Sequence, residues 1–463
     1  MTLKKHLLSI SHVIFITLSL CFLPNNHSYA QSERIWIPGW QETHPLATAR
    51  AGAAVVETGN HIYVIGGVDG RHFLRSVEQT HLEDTGGITA WSPSQPLNVA
   101  RGFFAAAVHN GYIYAVGGGN GPSGHNLLRS VERAKLLSNG QLGPWQTSPS
   151  NMNIPRRCAK VAIFNNRIYA FGGFGGTLLD TIESAAINAD GSLGAWRIEN
   201  KKHLLPRYVH SVKKTAKALF VLGGHNEEQG TGLSDITWSP LQPDTLLNWQ
   251  AAPSLNTGRY ALNSFYYKNW LYVAGGLDNI NYLRSIEKTT LSPTTHEIST
   301  PWTESNPLAS PRANFGVVQH QDAVYIIGGT NSIGYYNTVE VAYFNKHGDL
   351  GFWGTKQQAH EYESQELSAR KTATVTVPLP HHGKIIEIID AGSYSYIHAQ
   401  SKDGEEWLAA GRDHYQIDMD IRYSDGVLMP NFQSKTLKRH FKSIRFVSRV
   451  EIIKPDSASD SSQ

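Results

Sequence analysis

Short runs of apolar, β-forming residues recur along the chain, and each run ends in a pair of glycines. The first is HIYVIGG at residues 61–67. The others are YIYAVGG (112–118), RIYAFGG (167–173), ALFVLGG (218–224), WLYVAGG (270–276) and AVYIIGG (323–329). Successive pairs are 51 to 55 residues apart. Self-similarity at a fixed period of this size predicts a repeat architecture.

Every glycine pair has the same neighbours in the sequence. An arginine stands sixteen residues before each pair: Arg50, Arg101, Arg156, Arg207, Arg259 and Arg312. A third short strand is predicted about ten residues after the pair, as in RSVEQTHL at 75–82. A tryptophan follows in a fourth segment: Trp91, Trp145, Trp196, Trp249, Trp302 and Trp353. Four short strands in about fifty residues are typical of one blade of a β-propeller.

These features resemble the kelch motif, in which an apolar strand ends in Gly-Gly, with a tyrosine just before the glycines and a tryptophan near the end of the repeat. The resemblance covers roughly residues 36–355, in six matched copies. It implies an all-β fold, a six-bladed kelch β-propeller around a central channel.

The sequence does not decide which segment forms the strand that closes the propeller. Trp40 lies ten residues before Arg50, the same spacing that separates Trp91 from Arg101. The segment around Trp40 could therefore be the closing strand of the last blade. Alternatively, LGFWGT around Trp353 supplies that strand, and residues 34–48 form an added edge or part of an incomplete seventh blade. We expect six blades.

The two ends of the chain carry further segments. Residues 1–30 have two lysines, an apolar run too short for a membrane span, and small residues at the cleavage positions, which predicts a signal peptide cleaved after Ala30. The propeller is assigned to 31–355 and a polar linker to 356–368. Short strand-like runs predict a small all-β C-terminal domain at 369–453, a barrel or sandwich that resembles an oligonucleotide/oligosaccharide-fold barrel. The polar tail 454–463 is expected to be disordered.

Composition excludes several functions. Without the signal peptide the chain has 39 Lys plus Arg, two fewer than the full count of 41, against 38 Asp plus Glu, so no pull on nucleic acid is expected. Cys158 is then the single cysteine, so the fold cannot depend on an intrachain disulfide. We expect Cys158 to be a buried, inert thiol. The histidines show no paired ligand spacing, so no metal and no cofactor are expected.

The glycine pairs are interpreted as structural, because a phosphate loop needs a helix behind its glycines and each pair here leads into another strand. These structural glycines are Gly66, Gly67, Gly117, Gly118, Gly172, Gly173, Gly223, Gly224, Gly275, Gly276, Gly328 and Gly329.

The six arginines are the main candidates for a ligand site. In kelch propellers the first strand of each blade is innermost, so the resemblance implies a ring of arginines near one mouth of the channel. In eukaryotic kelch adaptors, arginines at this motif position help to hold acidic peptide loops. The alternative is structural: Glu78, Glu132, Glu183, Glu287 and Glu340 stand in the third strands and could pair with the arginines. Thr237 replaces this glutamate in the fourth repeat, which argues for a further role of Arg207.

Polar residues in the loops after the glycines complete the hypothetical ligand-binding set, because loops carry function more often than the scaffold does. These are Asp69, His225, Asn226 and Asp278, joined by Tyr208 and Tyr260 next to two of the arginines.

The residues together favour an exported bacterial protein, periplasmic or extracellular, that binds a protein segment or a carbohydrate at the propeller mouth without catalysis. Two alternatives stay open. Exported bacterial kelch propellers include a sialic acid mutarotase, so a carbohydrate-active enzyme is one of them. The other is a structural interaction platform in the cell envelope.

Overall fold

The computed structural model describes residues 34–453 except 85, 122–123, 200–204, 227–231, 242–247, 373–378, 392–393, 403, 412–413, 425–426, 435–436 and 448–449. The expected signal peptide and the expected disordered tail lie outside the described residues. Within the described part, no helix has the length and apolar character needed to cross a membrane.

The main domain is a six-bladed β-propeller, and the innermost strand of each blade contacts the innermost strands of both neighbours. Two strands come first, β1 (Ile35–Pro38) and β2 (Gln41–Thr43). Blade 1 is β3 (Ala54–Thr58), β4 (His61–Ile65), β5 (Val77–His81) and β6 (Ser92–Ser94). Blade 2 is β7 (Ala105–His109), β8 (Tyr112–Val116), a hairpin of β9 (Gly119–Asn120) and β10 (Asn126–Leu127), then β11 (Val131–Lys135) and β12 (Gln146–Thr147).

The remaining blades repeat this order. Blade 3 is β13 (Lys160–Phe164), β14 (Arg167–Phe171), β15 (Ile182–Ala186) and β16 (Arg197–Ile198). Blade 4 is β17 (Ser211–Lys214), β18 (Ala218–Leu222), β19 (Ile236–Pro240) and β20 (Gln250–Ala252). Blade 5 is β21 (Asn263–Tyr267), β22 (Trp270–Ala274), β23 (Ile286–Thr290) and β24 (Thr303–Ser305). Blade 6 contains β25 (Gly316–His320), β26 (Ala323–Ile327) and β27 (Val339–Phe344), followed by β28 (Leu350–Gly354).

The repeated aromatic residues pack between blades. Tyr63 of blade 1 lies in one buried cluster with Phe104 and Ile113 of blade 2. Its hydroxyl donates to the Gly140 carbonyl at 2.6 Å, and Tyr114 donates to the Gly191 carbonyl at 2.8 Å. Burial raises the pKa of both Tyr63 and Tyr114 to about 12. Tyr63 and Tyr114 therefore each tie one blade to the next.

The N-terminal segment closes blade 6. Strand β2 pairs with β27, with Glu42 opposite Glu340, and so occupies the outer position that the fourth strand takes in the other blades. Trp40 is buried, and its indole donates to the Asn306 carbonyl, four residues after the tryptophan of blade 5. Trp91 makes the same bond to the carbonyl of His44, four residues after Trp40.

The assignment of Trp353 as the sixth repeat tryptophan is therefore wrong. Strand β28 leaves β27 after a short hairpin and pairs with β1, which extends the blade as an added edge. The Trp353 side chain is 56 % exposed, because it lies beyond the interface that buries Trp40.

The predicted linker at 356–368 is occupied by a helix, α1 (Lys356–Thr372). Tyr362 on α1 contacts the N-terminal segment, where its hydroxyl accepts a hydrogen bond from the backbone N–H of Trp40 at 3.4 Å. The helix therefore packs on the closure of the propeller.

The C-terminal residues form a seven-stranded sheet with the order β33, β34, β31, β30, β29, β32, β35. Its strands are β29 (His381–Ala391), β30 (Tyr394–Ser401), β31 (Gly404–Gly411), β32 (Asp420–Tyr423), β33 (Val427–Ser434), β34 (Arg439–Phe446) and β35 (Val450–Ile452). Ile385, Ile397, Leu408 and Tyr423 form its main core. A small all-β domain is present as expected, and its likeness to an oligonucleotide/oligosaccharide-fold barrel stays a prediction.

Candidate binding site at the propeller mouth

The six arginines are buried inside the blades, each 1 % exposed or less. In every blade the guanidinium donates to the carbonyl of the first glycine of the pair, sixteen residues later. The distances from Nη1 to this oxygen lie between 2.8 and 3.1 Å, at Gly66, Gly117, Gly172, Gly223, Gly275 and Gly328. Each arginine therefore joins the start of the first strand to the end of the second.

Five of the arginines also pair with the glutamate of the third strand. Arg50 and Glu78 are 2.6 Å apart, and Arg101 and Glu132 are 2.7 Å apart. The other pairs are Arg156 with Glu183, Arg259 with Glu287, and Arg312 with Glu340. Burial lowers the pKa of Arg50, Arg101, Arg156 and Arg259, while the neighbouring glutamate opposes this shift.

The glutamates are equally well satisfied, because each also binds backbone N–H groups. Glu132, for example, accepts from Asn98 at 2.7 Å and Val99 at 3.1 Å. A buried ion pair is stable only when such additional hydrogen bonds complete it. The geometry thus favours the structural alternative for the arginines, since their guanidinium groups are engaged within the scaffold.

The fourth repeat keeps this arrangement with a different acid. Arg207 pairs with Asp235 at 2.5 Å, and Thr237 is buried where the other repeats have glutamate. Residues two apart on a strand point to the same face, so an acid at either position can meet the arginine. The substitution of Thr237 therefore does not leave Arg207 without a partner.

The second glycine of each pair links one blade to the next. The backbone N–H of Gly67 donates to the Arg101 carbonyl at 2.9 Å, and that of Gly329 donates to the Arg50 carbonyl at 2.8 Å, across the closure. A Cβ on Gly66 would lie 2.6 Å from the Arg101 carbonyl oxygen. A side chain at Gly66 would therefore clash with the backbone of blade 2.

Two of the predicted loop residues shape their own loops. Asp69 accepts backbone hydrogen bonds from Arg71 and His72, and these bonds lower the pKa of its carboxyl group. Asp278 accepts from Ile280 and Asn281 in the same way. Both side chains hold tight turns at the mouth, and they lie in the loops of different blades.

Three other predicted residues meet at blades 4 and 5. The His225 ring lies 5.6 Å from the ring of Tyr208 and 5.0 Å from that of Tyr260, in edge-on arrangements. Tyr260 is partly buried, and its pKa is raised, mainly by burial. Asn226, next in the chain, is buried, with 3 % of its surface exposed.

The C-terminal domain contacts the same mouth. The hydroxyl of Tyr394 donates to Asn279 Oδ1 at 3.2 Å, and a Cβ on Gly411 would touch Ile280. A cleft of about 770 Å³ lies between the loops of blades 2 to 4 and strand β33. We name it the mouth cleft; its lining is His125, Leu127, Arg157, Phe174, Gly176, Thr177, Tyr208, Met429, Pro430, Asn431, Phe432 and Gln433.

The mouth cleft combines aromatic rings with one guanidinium group. The Arg157 guanidinium lies 5.6 Å from the centre of the Phe174 ring and donates to the Gly124 carbonyl at 3.1 Å. Tyr208 is the predicted site residue that lines it. Arg157 and Phe174 were missed, although Arg157 directly follows Arg156 and Phe174 directly follows a glycine pair.

The innermost ring of the channel comes from the residues two positions after each arginine. All six have positive φ, from 46° at Val209 to 59° at Gly52: Gly52, Phe103, Cys158, Val209, Ala261 and Asn314. At five of the six blade junctions, the backbone N–H of one member donates to the carbonyl of the previous one, at 2.7 to 2.9 Å. We name this set the channel ring.

Comparisons with known proteins agree with this class of fold. A model of the kelch motif matches residues 49–79, 100–133, 155–184 and 311–341, which lie in blades 1, 2, 3 and 6. The chain thus carries kelch motifs in a six-bladed propeller. The solved structure of YjhT superposes with a TM-score of 0.54 at 12 % identity, covering 68 % of this chain and 99 % of YjhT. At this identity the likeness shows the fold alone.

Similar curated proteins include one that is named for its kelch repeats. Kelch repeat and BTB domain-containing protein 1 of Cowpox virus (strain Brighton Red) is 28 % identical over 269 residues, 57 % of this chain and 43 % of the viral protein. Beta-scruin of Limulus polyphemus is 27 % identical over 292 residues, 58 % of this chain and 30 % of scruin. The alignments span less than half the length of these relatives.

Proposed function

We propose that this chain is an exported, non-catalytic binding protein that holds a protein segment in the mouth cleft. The single observation that carries the proposal is the cleft itself, about 770 Å³ between the propeller mouth and β33. Concave sites with aromatic walls and a few polar groups are the usual form of a binding site. We place the protein in the periplasm or outside the cell on the strength of residues 1–30.

One wall of the cleft suits a polypeptide. Strand β33 is the outermost strand of the sheet in its described order. An extended segment can add to such an edge through backbone hydrogen bonds, while its side chains enter neighbouring pockets. Pro430 lacks an N–H group, and Asn431 has a φ of 54°, so the residues after Asn431 offer the better edge.

The chemistry of the opposite wall favours an acidic segment. Arg157 and His125 are the ionisable side chains of basic character in the lining, and no carboxylate is among the described lining residues. Phe174 and Tyr208 provide flat apolar surfaces beside the guanidinium. Arginine binds carboxylates through paired hydrogen bonds, and aromatic rings bury large areas at interfaces.

The test separates a protein ligand from a sugar. The mature protein is panned against a random peptide library, and the same protein is applied to a glycan array that includes sialic acids. We expect peptides with acidic and aromatic residues, and binding at least tenfold weaker for Thr177→Trp, which fills the cleft from an exposed loop position.

Ile333→Trp is the matched control. Ile333 is 68 % exposed in the corresponding loop of blade 6 and does not line the mouth cleft. We expect its peptide affinity to equal that of the unmodified protein. Binding of glycans without peptides would favour the carbohydrate alternative, and equal binding by both tryptophan variants would place the site elsewhere.

A further inference from the structure

A small cavity lies in the central channel, at the level of the channel ring. Its volume is about 40 Å³, and all six blades contribute to its lining. A cavity needs roughly 10–15 Å³ to hold one water molecule, so this one has room for a few atoms of that size. The polar side chains among its lining residues are those of Lys160, Asn314 and Cys158.

Lys160 brings an unpaired cation to the cavity. In the part of the chain that the structure describes, its ammonium group has no hydrogen-bond or ion-pair partner. Burial lowers the pKa of Lys160, as expected for an amine withdrawn from water. The corresponding residues of the other inner strands are small: Ala54, Ala105, Ser211, Asn263 and Gly316. The Lys160 residue is only partly buried, so its ammonium group is also accessible from the channel.

Asn314 brings a second donor from the opposite side of the wheel, since blades 3 and 6 face each other across the channel. Its side-chain amide has no hydrogen-bond partner among the described residues. Burial raises the pKa of Cys158, so its thiol is neutral and adds no negative charge. No carboxylate and no imidazole line the cavity.

We propose that this cavity binds one small monovalent anion, of the size of chloride or formate, between the Lys160 ammonium and the Asn314 amide. A cation is disfavoured because the lining has a positive charge and no anionic ligand. A divalent anion is disfavoured because one ammonium group supplies a single charge. This site is separate from the mouth cleft and does not depend on the proposed protein ligand.

The test is thermal unfolding of the mature protein at constant ionic strength, with sodium formate or chloride replacing sodium gluconate, whose anion is too large for the cavity. A ligand that binds only the folded state raises the melting temperature of the protein, and the rise levels off as the ligand concentration approaches saturation of the site. We expect a rise of a few degrees for the unmodified protein and for Lys346→Ser, a change at an exposed lysine far from the channel. We expect no rise for Lys160→Ser.

Lys160→Ser is chosen because Ser211 occupies the same position in blade 4, so serine fits this site in the propeller. Asn314→Ala should weaken formate binding several-fold without removing it. A rise that persists in Lys160→Ser, or equal curves in formate and gluconate, would overturn the proposal. Bromide soaked into crystals gives an independent readout: an anomalous peak between Lys160 and Asn314 supports the site, and an empty cavity contradicts it.

Discussion

The arginine pairs inside the blades predict a large difference between two conservative substitutions. Glu132→Gln removes the charge opposite Arg101, where both side chains are fully buried. Removing one partner of a buried ion pair costs about 3–5 kcal/mol, because the other charge stays buried without compensation. Asp235→Asn makes the same chemical change beside Arg207, but the Asp235 side chain is 40 % exposed. We expect a loss of about 1–2 kcal/mol there, since water can solvate the remaining charge.

A swap within blade 4 tests whether the two acid positions are equivalent. Asp235→Ser gives this position the hydroxyl that Ser76 and Ser130 provide in blades 1 and 2. It should destabilise the protein, and Thr237→Glu added to it should restore most of the loss, because the new carboxylate faces Arg207 from the usual position.

The assay is urea unfolding followed by tryptophan fluorescence, with the transition midpoint as the readout. The unmodified chain serves as the standard, and none of the substitutions compared here adds or removes a tryptophan. If Glu132→Gln were no more destabilising than Asp235→Asn, the arginines would not be acting through buried pairing. Failure of Thr237→Glu to rescue Asp235→Ser would refute the equivalence of the two positions.

Four further substitutions have definite expected outcomes. Val209 is a β-branched residue with a φ of 46°, a backbone conformation that strains any residue other than glycine. Val209→Gly should therefore raise the free energy of unfolding by about 1–2 kcal/mol in urea titrations. A lower free energy of unfolding would show that Val209 is not strained. Trp40→Ala should lower the free energy of unfolding by about 3–5 kcal/mol, and Trp353→Ala should lower it by far less, because Trp40 is buried and Trp353 is exposed. Equal effects of the two substitutions would refute the claim that β2 completes blade 6. Burial lowers the pKa of Lys213 to about 8 from 10.5, so the unfolded chain binds the extra proton and stability rises between these pH values. Lys213→Met should abolish this rise of the free energy of unfolding with pH, and should increase the free energy of unfolding at pH 7 by up to about 3 kcal/mol. If the substitution left the pH dependence of unfolding unchanged, the pKa of Lys213 would not be lowered in the folded protein.

The propeller was predictable because its repeats are regular. Each blade needs the same strand pattern and the same glycine pair, so six copies reinforce one another in the sequence. The closing strand was harder to assign, because β2 lies almost 300 residues from its partner β27. The spacing between Trp40 and Arg50 carried the correct signal, and burial of Trp40 against blade 5 is what decides it.

The candidate site was less predictable, because sequence spacing does not show where side chains point or which distant segments of the chain meet. Sequence spacing identifies the arginines but does not show that their guanidinium groups turn inward to glycine carbonyls sixteen residues away. Sequence spacing also does not reveal that Asp235 is the partner of Arg207. Asp235 stands where other repeats have Ser76 or Ser130, two residues before the position of the missing glutamate. The mouth cleft depends on how β33 lies against blade 3, a contact between parts of the chain about 250 residues apart that no local pattern records.

The central claim is that a protein segment binds in the mouth cleft. The most direct measurement is backbone hydrogen exchange of the mature protein with and without a saturating peptide selected from the library. We predict slower exchange in β33 (Val427–Ser434) and in the loop containing Thr177. The turns at the far ends of the blades, such as Asn165 and Asn166 in blade 3, should be unchanged. Slower exchange confined to those turns, with β33 unaffected, would contradict the account.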